Sequence, residues 1–225
     1  GMSDTFDQAV RRMGEVLAIT GKVLPVTNQD VHLKAIFENG ETVLGESKIA
    51  QRKKENNSRI QDVQLIPAHP RALEESLVAI AQADMIIMAP GSLYTSIIPN
   101  FLVDGVTEAV AKSRALKMMV LNIMTQDGET EGYTGVDHLE ALWRHSGKNI
   151  VDVCIANNSP IPEEMQVQYA QEGAGPIWLS KEEGAAYNVK VHQYPLLAEG
   201  IQARHDSLAL ARAIFEVYDR ARGVW

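Results

Sequence analysis

The sequence predicts an α/β fold in which helices cover both faces of a mostly parallel β-sheet, with a β-hairpin as an insertion or edge feature. From about residue 60 onward, short apolar runs alternate with segments of helical periodicity. Runs that are apolar on both faces are typical of strands in a parallel sheet. Upstream, Asn39-Gly40 separates two β-rich runs, which is the strongest short-range signal for a hairpin. We expect a single domain over residues 1–225.

The N-terminal part is predicted to form a helix followed by the hairpin. Apolar residues recur at helical spacing through "FDQAVRRMGEVL", with Ser3 or Asp4 as the N-cap and Gly21 as the stop. The two arms of the hairpin, residues 31–38 and 41–49, are expected to pair antiparallel.

A basic segment, "AQRKKENNSR", follows the hairpin at residues 50–59. It contains four cationic residues and has no apolar residue after Ala50. The favoured interpretation is a solvated, mobile loop. The alternative is a flexible basic flap that covers an anionic ligand.

Strands and helices then alternate to the end of the chain. The predicted strands are "IQDVQLIPA", "MIIMA", "KMMVLNI", "VDVCIAN" and "NVKVHQY". The predicted helices are "RALEESLVAIAQA", "FLVDGVTEAVAKS", "VDHLEALWRHSG", "PEEMQVQYAQEG" and "SLALARAIFEVYDRA". Thr134 or Asp137 is expected to cap the third of these helices, and Asp206 or Ser207 the last. Together they predict one doubly wound unit from about residue 60.

Composition and charge narrow the class of partner. Hydrophobic residues make up 45% of the chain, and the net charge is −8. This charge disfavours nucleic acid and anionic membranes as partners but leaves room for a small phosphate ligand. No apolar run is long enough to predict a membrane span, and no signal peptide is expected. Cys154, within an apolar run, is expected to be a buried thiol, and Gly1 ahead of Met2 is typical of tag cleavage.

The segment that follows the predicted strand "MIIMA" is the first candidate binding site. Pro90-Gly91 turns the chain, and a glycine allows the backbone to approach a ligand closely. Backbone N–H groups and hydroxyls at the start of a helix are suited to bind phosphate oxygens. An ordinary capped turn is the alternative. The candidate residues are Gly91, Ser92, Tyr94, Thr95 and Ser96.

Two further strand ends are polar, and ligands bind beyond the carboxyl ends of the strands in such sheets. Asn122 follows "KMMVL" and begins a long polar loop that includes Thr125. Asn157 and Asn158 end the strand "VDVCIAN". Asparagine amides can recognise a nucleobase edge or sugar hydroxyls, and the alternative is that both are turn residues.

Arg204 lies just before the last predicted helix, where a guanidinium could bind a diphosphate bidentately. A plain capped surface helix is the alternative. No pattern predicts a catalytic nucleophile, a Walker loop or a dinucleotide fingerprint. The acidic loop and the helix after it contain groups that could bind a divalent cation, but their spacing does not require a metal site. These residues are Asp127, Glu129, Glu131, Asp137 and His138.

Four stretches together resemble the gluconeogenesis factor family, UPF0052, and the related 2-phospho-L-lactate transferases. They are "APGSLYTSIIPNFLVDGV", "LNIMTQDGETEGYTGVDHL", "IANNSPIP" and "RHDS". The resemblance implies a Rossmann-like three-layer sandwich, a cytoplasmic location and a nucleotide-diphosphate ligand. We also expect a homodimer. The resemblance further implies that an N-terminal glycine-rich part of typical members is absent here.

Three functional hypotheses follow from the resemblance. The first is a regulatory protein that binds a UDP-sugar such as UDP-N-acetylglucosamine and controls carbon metabolism and cell shape, with Ser207 as a phosphorylation site. The second is a transferase that moves a phospholactyl group from a GDP-linked donor to a deazaflavin acceptor, with Mg²⁺ bound to the nucleotide and an acid such as Asp127 or Asp137. The third is a dimer that binds no ligand.

Overall fold

The structure, a computed structural model, describes residues 5–18 and 20–223. It contains a four-stranded parallel sheet with the order β4-β5-β6-β7 and a separate three-stranded antiparallel sheet with the order β2-β1-β3. The strands are β1 His32–Phe37, β2 Thr42–Leu44, β3 Ile60–Ile66, β4 Met85–Met88, β5 Leu116–Val120, β6 Val153–Asn157 and β7 Lys190–Tyr194.

Helices connect the strands of the parallel sheet, as the alternating pattern predicts. The helices of the described residues are α1 Phe6–Val16, α2 Glu46–Asn56, α3 Glu74–Gln82, α4 Ile98–Phe101, α5 Val106–Lys112, α6 Gly135–Ser146, α7 Glu163–Gln171, α8 Lys181–Ala186 and α9 Ser207–Ala221, with a single-turn π-helix at Leu93–Ile97. Helices α4 to α8 lie between strands of the parallel sheet. Within the described ranges, no helix has the length and apolar character needed to cross a bilayer.

The parallel sheet is buried on both faces, which gives the α/β, Rossmann-like layering. Met118 and Val120 of β5 pack with α9 on one face. Their neighbour Met119 points to the opposite face, where it joins the core that contains Leu139 and Leu142 of α6. Because adjacent residues of a strand point to opposite faces, a strand covered on both sides needs an uninterrupted apolar run.

Cys154 of β6 lies at the centre of this sheet. Its side chain is fully buried, and burial raises the pKa of its thiol to about 12. The thiol is therefore protonated at neutral pH and packs as a small apolar side chain, as the surrounding sequence predicts.

Two predicted helices differ most from the structure, and α8 was not predicted. The single helix expected over "FLVDGVTEAVAKS" is divided into α4 and α5, because Gly105, with φ of +91°, interrupts the helical backbone. Helix α1 ends at Val16, before the predicted stop at Gly21. The predicted caps Ser3 and Asp4 lie outside the described residues.

The hairpin is confirmed, but its second arm is shorter than the predicted 41–49, because β2 ends at Leu44 and α2 begins at Glu46. β3 belongs with the hairpin instead of with the parallel sheet. β1 pairs antiparallel with β2, and β3 pairs antiparallel with the other side of β1. The prediction of one doubly wound unit from residue 60 was therefore wrong for this strand. An alternating apolar pattern identifies a strand but not its partner, and β3 buries one face only.

The prediction of a mobile loop at residues 50–59 was also wrong, because most of this segment belongs to α2. Ile49 is completely buried and anchors the helix in the core. One turn later, the side chain of Lys53 is 7% exposed, and its Nζ lies 3.2 Å from Glu131 Oε2. This helix was not predicted from the sequence, because one of the residues on its buried face is a lysine.

We expect Lys53→Ala to destabilise the protein by about 2 kcal/mol, because it leaves the Glu131 carboxylate without its cation in a poorly solvated site. Lys54→Ala is the matched control. Its partner Asp127 and the lysine itself are more exposed, so the loss should stay under about 1 kcal/mol. Urea denaturation measures both changes, and equal losses in the two variants would contradict the buried pair.

Candidate functional site

The segments after β4, β5 and β6 all begin at one rim of the parallel sheet. β4 is in parallel register with β5, and β5 with β6. Ligands of such sheets bind outside the carboxyl ends of the strands. This rim is therefore where the polar segments of the sequence come together. We call residues 89–97 the hydroxyl segment and residues 121–134 the long loop.

Asn122 joins the hydroxyl segment to the long loop. Its Oδ1 accepts a hydrogen bond from the Gly91 N–H at 3.0 Å, and its Nδ2 donates to the Gly91 carbonyl at 2.9 Å. A second link lies beside it, where the Ser92 hydroxyl donates to Gln126 Oε1 at 2.7 Å. The amide of Asn122 is thus occupied in fixing the distance between two strand ends.

Glu129 forms a third link and is almost completely buried, at 2% exposure. Its carboxylate accepts from the Thr95 hydroxyl at 2.7 Å and from the Tyr94 N–H at 3.3 Å. Burial raises the pKa of the Glu129 carboxyl, and the neighbouring carboxylates of Glu46 and Glu131 act in the same direction. Thr95 therefore holds a protein carboxylate in this structure.

Tyr94 points away from the rim into the interior. Its side chain is fully buried, and its hydroxyl lies 2.7 Å from that of Tyr133. The Tyr94 hydroxyl also donates to the Ile60 carbonyl at 3.3 Å and accepts from Arg144 at 3.3 Å. Burial raises the pKa of Tyr94. This side chain connects the hydroxyl segment to β3 instead of facing the rim.

Ser96 lies apart from the other hydroxyls. Together with Gly91 it lines an apolar groove of about 360 Å³ beside β4. Its backbone carbonyl accepts a hydrogen bond from Asn100 at 2.6 Å.

The two asparagines at the end of β6 have different surroundings. Asn157 is 3% exposed, and its Oδ1 accepts from the backbone N–H groups of Ser159 at 3.1 Å and Leu196 at 3.0 Å. The side chain of Asn157 therefore holds its own turn against the segment after β7. Asn158 instead lines a separate cavity beside β7, with Lys181 among its neighbours.

A cavity of about 260 Å³ opens at the rim, and we call it the rim cavity. The long loop forms one wall, the end of α7 a second, and the segment before α9 a third. It is lined by Asn122, Ile123, Met124, Thr125, Gln126, Tyr169, Glu172, Ala174, Ala203 and His205.

Thr125 supports the rim cavity by tying the long loop to the chain that follows α7. Its backbone N–H donates to the Gly175 carbonyl at 2.8 Å, and its hydroxyl accepts from the Gly175 N–H at 2.9 Å. The loop wall and the α7 wall are therefore fixed to each other by two hydrogen bonds.

Arg204 is exposed and lies between Ala203 and His205, which both line the rim cavity. Its carbonyl accepts from the Ala198 N–H at 2.8 Å, which folds the segment back on itself. Asp206 caps α9 through its contacts with Leu208 and Ala209, at 2.9 and 2.8 Å. Ser207 is the exposed first residue of this helix.

The acidic residues proposed for Mg²⁺ are already engaged. Asp127 pairs with Lys54. Asp137 and Thr134 form the capping box of α6. Across the residues that the structure describes, no group of three or more His, Cys, Asp or Glu side chains could hold a metal ion. The residues present do not fit a metal held by this chain alone.

Sequence reasoning missed Gln126, Tyr169, Glu172 and His205 as cavity residues. Tyr169, Glu172 and His205 lie outside the turns that directly follow β4, β5 and β6, which contain most of the predicted site residues. In the stretch "RHDS", the predicted ligand residue is Arg204 and not His205. Tyr169 carries no sequence signal, because in α7 it reads as an ordinary apolar helix position.

Residues 1–197 match the family described as 2-phospho-L-lactate transferase CofD. The chain belongs to the CofD family. This membership confirms the family resemblance of the four sequence stretches, and it agrees with the Rossmann-like layering of the sheet.

Among CofD-family relatives, the chain is 39% identical to the gluconeogenesis factor of Bacillus subtilis over 213 residues, and 39% identical to that of Halalkalibacterium halodurans over 212 residues. It also resembles a crystal structure of a UPF0052 protein from Bacillus halodurans, with a TM-score of 0.87 and 38% identity. These matches cover 94% of this chain but only 66%, 65% and 67% of the three relatives.

We expect Asn122→Ala to destabilise the protein by about 1–3 kcal/mol, because it leaves the Gly91 N–H and carbonyl without partners. Asn100→Ala is the control, since Asn100 is exposed and donates only to helix carbonyls. Urea denaturation compares the two variants. A loss in Asn122→Ala no larger than that of the control would show that the pair of hydrogen bonds does not hold the strand ends.

The raised pKa of Glu129 predicts that the difference in stability between Glu129→Gln and the wild type depends on pH. Because its folded-state pKa is raised above the usual 4.5, its stabilising contribution is complete in acid and is lost as the pH rises through the folded-state pKa. Glu129→Gln keeps an acceptor for Thr95 and cannot ionise. We expect it to match the wild type in acid and to exceed it in stability at neutral pH.

Urea denaturation between about pH 4 and about pH 8 measures this difference. Glu199→Gln, in an exposed loop, is the control. A difference between Glu129→Gln and the wild type that stays constant over the range would contradict a buried carboxyl with a raised pKa.

Proposed function

We propose that this chain forms the ligand-binding part of a gluconeogenesis-factor-type regulatory protein, and that it binds a nucleotide-diphosphate sugar similar to UDP-N-acetylglucosamine. The rim cavity is the observation that carries this proposal. It lies beyond the strand ends, its walls come from three separate segments, and polar side chains face it. Cavities of this kind are the default binding sites of α/β proteins.

The ligand would lie across the rim, and its diphosphate and sugar would contact different segments of the chain. Arg204 is the cation nearest the cavity along the chain and would bind the diphosphate. Gly91 and Ser92 are close to the rim through their links to Asn122 and Gln126, so their backbone would meet the phosphates or the sugar. Thr125 would contribute through the fixed backbone of the long loop.

The other predicted ligand residues are bonded within the protein or lie at other cavities. Tyr94, Thr95 and Asn157 are occupied by internal hydrogen bonds, and they would act by shaping the site. Asn158 and Ser96 face other cavities and would need a ligand long enough to reach them.

The regulatory role is proposed from the relatives, which carry the name gluconeogenesis factor. We propose that ligand binding by the full protein controls carbon metabolism and cell shape in the cytoplasm. Phosphorylation at Ser207 would add negative charge at the exposed start of α9, close to Arg204. A homodimer and a single domain over the whole chain belong to the same proposal.

The second candidate function is transfer of a phospholactyl group from a GDP-linked donor to a deazaflavin acceptor. The name of the matching family favours it. Such a reaction depends on positioning and on charge neutralisation by Mg²⁺. Since Asp127 and Asp137 are engaged in other contacts, the substrate phosphates would have to supply most of the ligands of the Mg²⁺ ion.

Calorimetric titration with UDP-N-acetylglucosamine and with GDP, each with and without Mg²⁺, tests the proposal. We expect the UDP-sugar to bind without Mg²⁺, and Arg204→Ala to weaken binding by about tenfold or more because a charged hydrogen bond is lost. Arg212→Ala, on the exposed surface of α9, is the matched control and should bind normally.

The other outcomes would select other functions. Mg²⁺-dependent preference for GDP, with turnover of a deazaflavin acceptor, would favour the transferase. No heat of binding with any ligand would favour the third hypothesis, a dimer that binds no ligand.

A further inference from the structure

The third wall of the rim cavity belongs to the segment that precedes α9, residues 196–206, which we call the α9 loop. Its two arms are joined by backbone hydrogen bonds. The Asp206 N–H donates to the Leu196 carbonyl at 2.8 Å, at the base of the loop. Nearer the tip, the Ala198 N–H donates to the Arg204 carbonyl, also at 2.8 Å. Because Leu196 is completely buried, the base of the α9 loop is fixed in the core.

Tyr169 of α7 holds the other end of the α9 loop. Its hydroxyl accepts a hydrogen bond from the Ala203 N–H at 3.1 Å. Both residues line the rim cavity, and both pack against the buried cluster that contains Met165. Within residues 198–204, this is the one hydrogen bond to another segment of the described chain. The Tyr169 hydroxyl therefore joins the α7 wall of the rim cavity to the α9-loop wall.

The tip of the α9 loop, residues 199–202, lies just before this hydrogen bond. All four tip residues are exposed, and Ile201 is 83% exposed. Segments with few buried contacts open at a low free-energy cost. The position of the tip and of the returning arm, which carries Arg204, therefore depends on the bond between Tyr169 and Ala203.

Helix α7 and the chain just after it are bonded to both neighbouring walls of the rim cavity. Thr125 of the long loop forms two hydrogen bonds with Gly175, and Tyr169 forms one with the α9 loop. The distance across the cavity from the long loop to the α9 loop depends on both links. A site that is held about 1 Å too loosely loses function, so the link at Tyr169 should affect ligand affinity.

We propose that Tyr169 is a positioning residue of the rim cavity. Its hydroxyl holds the α9 loop, and with it Arg204, at the distance from the long loop that a nucleotide-diphosphate ligand requires. Tyr169 acts through the α9 loop, and no contact between its own ring and the ligand is part of the proposal. This inference rests on the proposed function, because it explains how the walls of that same site are held in place.

The first test is a calorimetric titration of Tyr169→Phe with UDP-N-acetylglucosamine. This change removes the hydroxyl and keeps the ring that packs against the cluster of Met165. We expect binding about tenfold weaker than that of the wild type, which is the contribution of a typical hydrogen bond. The urea midpoint should change little, because the bond lies in an exposed loop and not in the core.

Tyr187→Phe is the matched control, because its hydroxyl donates to Glu140 at the surface and the residue does not line the rim cavity. It should bind the nucleotide sugar as the wild type does. Normal binding by Tyr169→Phe, or a loss of binding that is matched by Tyr187→Phe, would overturn the positioning role.

A double variant tests whether Tyr169 acts through Arg204. If the hydroxyl serves to place the guanidinium, Tyr169→Phe should weaken binding by less than about twofold in a protein that already carries Arg204→Ala. Two independent losses of about tenfold each would instead multiply to about a hundredfold. That result would overturn the proposal, because a residue that acts only through Arg204 has no effect once Arg204 is gone.

Amide hydrogen exchange, followed by ¹H–¹⁵N spectra without ligand, separates failure of this inference from failure of the proposed function. We expect the Ala203 N–H to exchange about tenfold faster in Tyr169→Phe than in the wild type, while the Ala198 N–H keeps its rate. Equal rates for Ala203 in the two proteins would overturn the positioning role even if the nucleotide sugar binds. If the rates differ as expected but the wild type binds no nucleotide sugar, the proposed function fails and the role of Tyr169 in holding the α9 loop stands.

Discussion

Three hydrogen-bonded links between the hydroxyl segment and the long loop hold the rim of this protein together. Asn122 pairs with the backbone of Gly91, Ser92 with Gln126, and Thr95 with Glu129. The two segments follow neighbouring parallel strands, so the links fix how far apart the strand ends lie. One wall of the rim cavity depends on this spacing, since Asn122 and Gln126 belong to both the links and the lining.

The long loop is also held from its outer side by α2. Lys53 pairs with Glu131, and the backbone of Gly128 approaches so closely that an added Cβ would lie 2.7 Å from the Cβ of Ala50. The hairpin and α2 therefore act as a support for the loop. Through Tyr94, which reaches the Ile60 carbonyl of β3, the smaller sheet is connected to the same region a second time.

The parallel sheet and the location of its rim could be predicted from the sequence. Short runs that are apolar on both faces occur mainly as strands of a parallel sheet covered by helices. The carboxyl ends of such strands lie at one edge of the sheet. The partner of β3 could not be predicted, because its alternating pattern fits either sheet. Helix α2 was hidden because its inner face combines Ile49 with a buried lysine whose partner lies 78 residues away in sequence.

The candidate site was predictable as a region but not atom by atom. The hydroxyls and amides at the strand ends were predicted to bind a ligand, and in this structure several of them form hydrogen bonds within the protein. Asn157 satisfies the turn that follows it, and Thr95 holds Glu129. His205 could not be assigned from the sequence, because only the fold places it in the lining of the rim cavity.

The interior location of Cys154 has a practical consequence for spectroscopy. It is the only cysteine of the 225 residues, and its inaccessible, protonated sulfur will not react with maleimides while the protein is folded. A thiol introduced at the surface can therefore be labelled selectively with a fluorophore or a spin probe, without first removing the natural one.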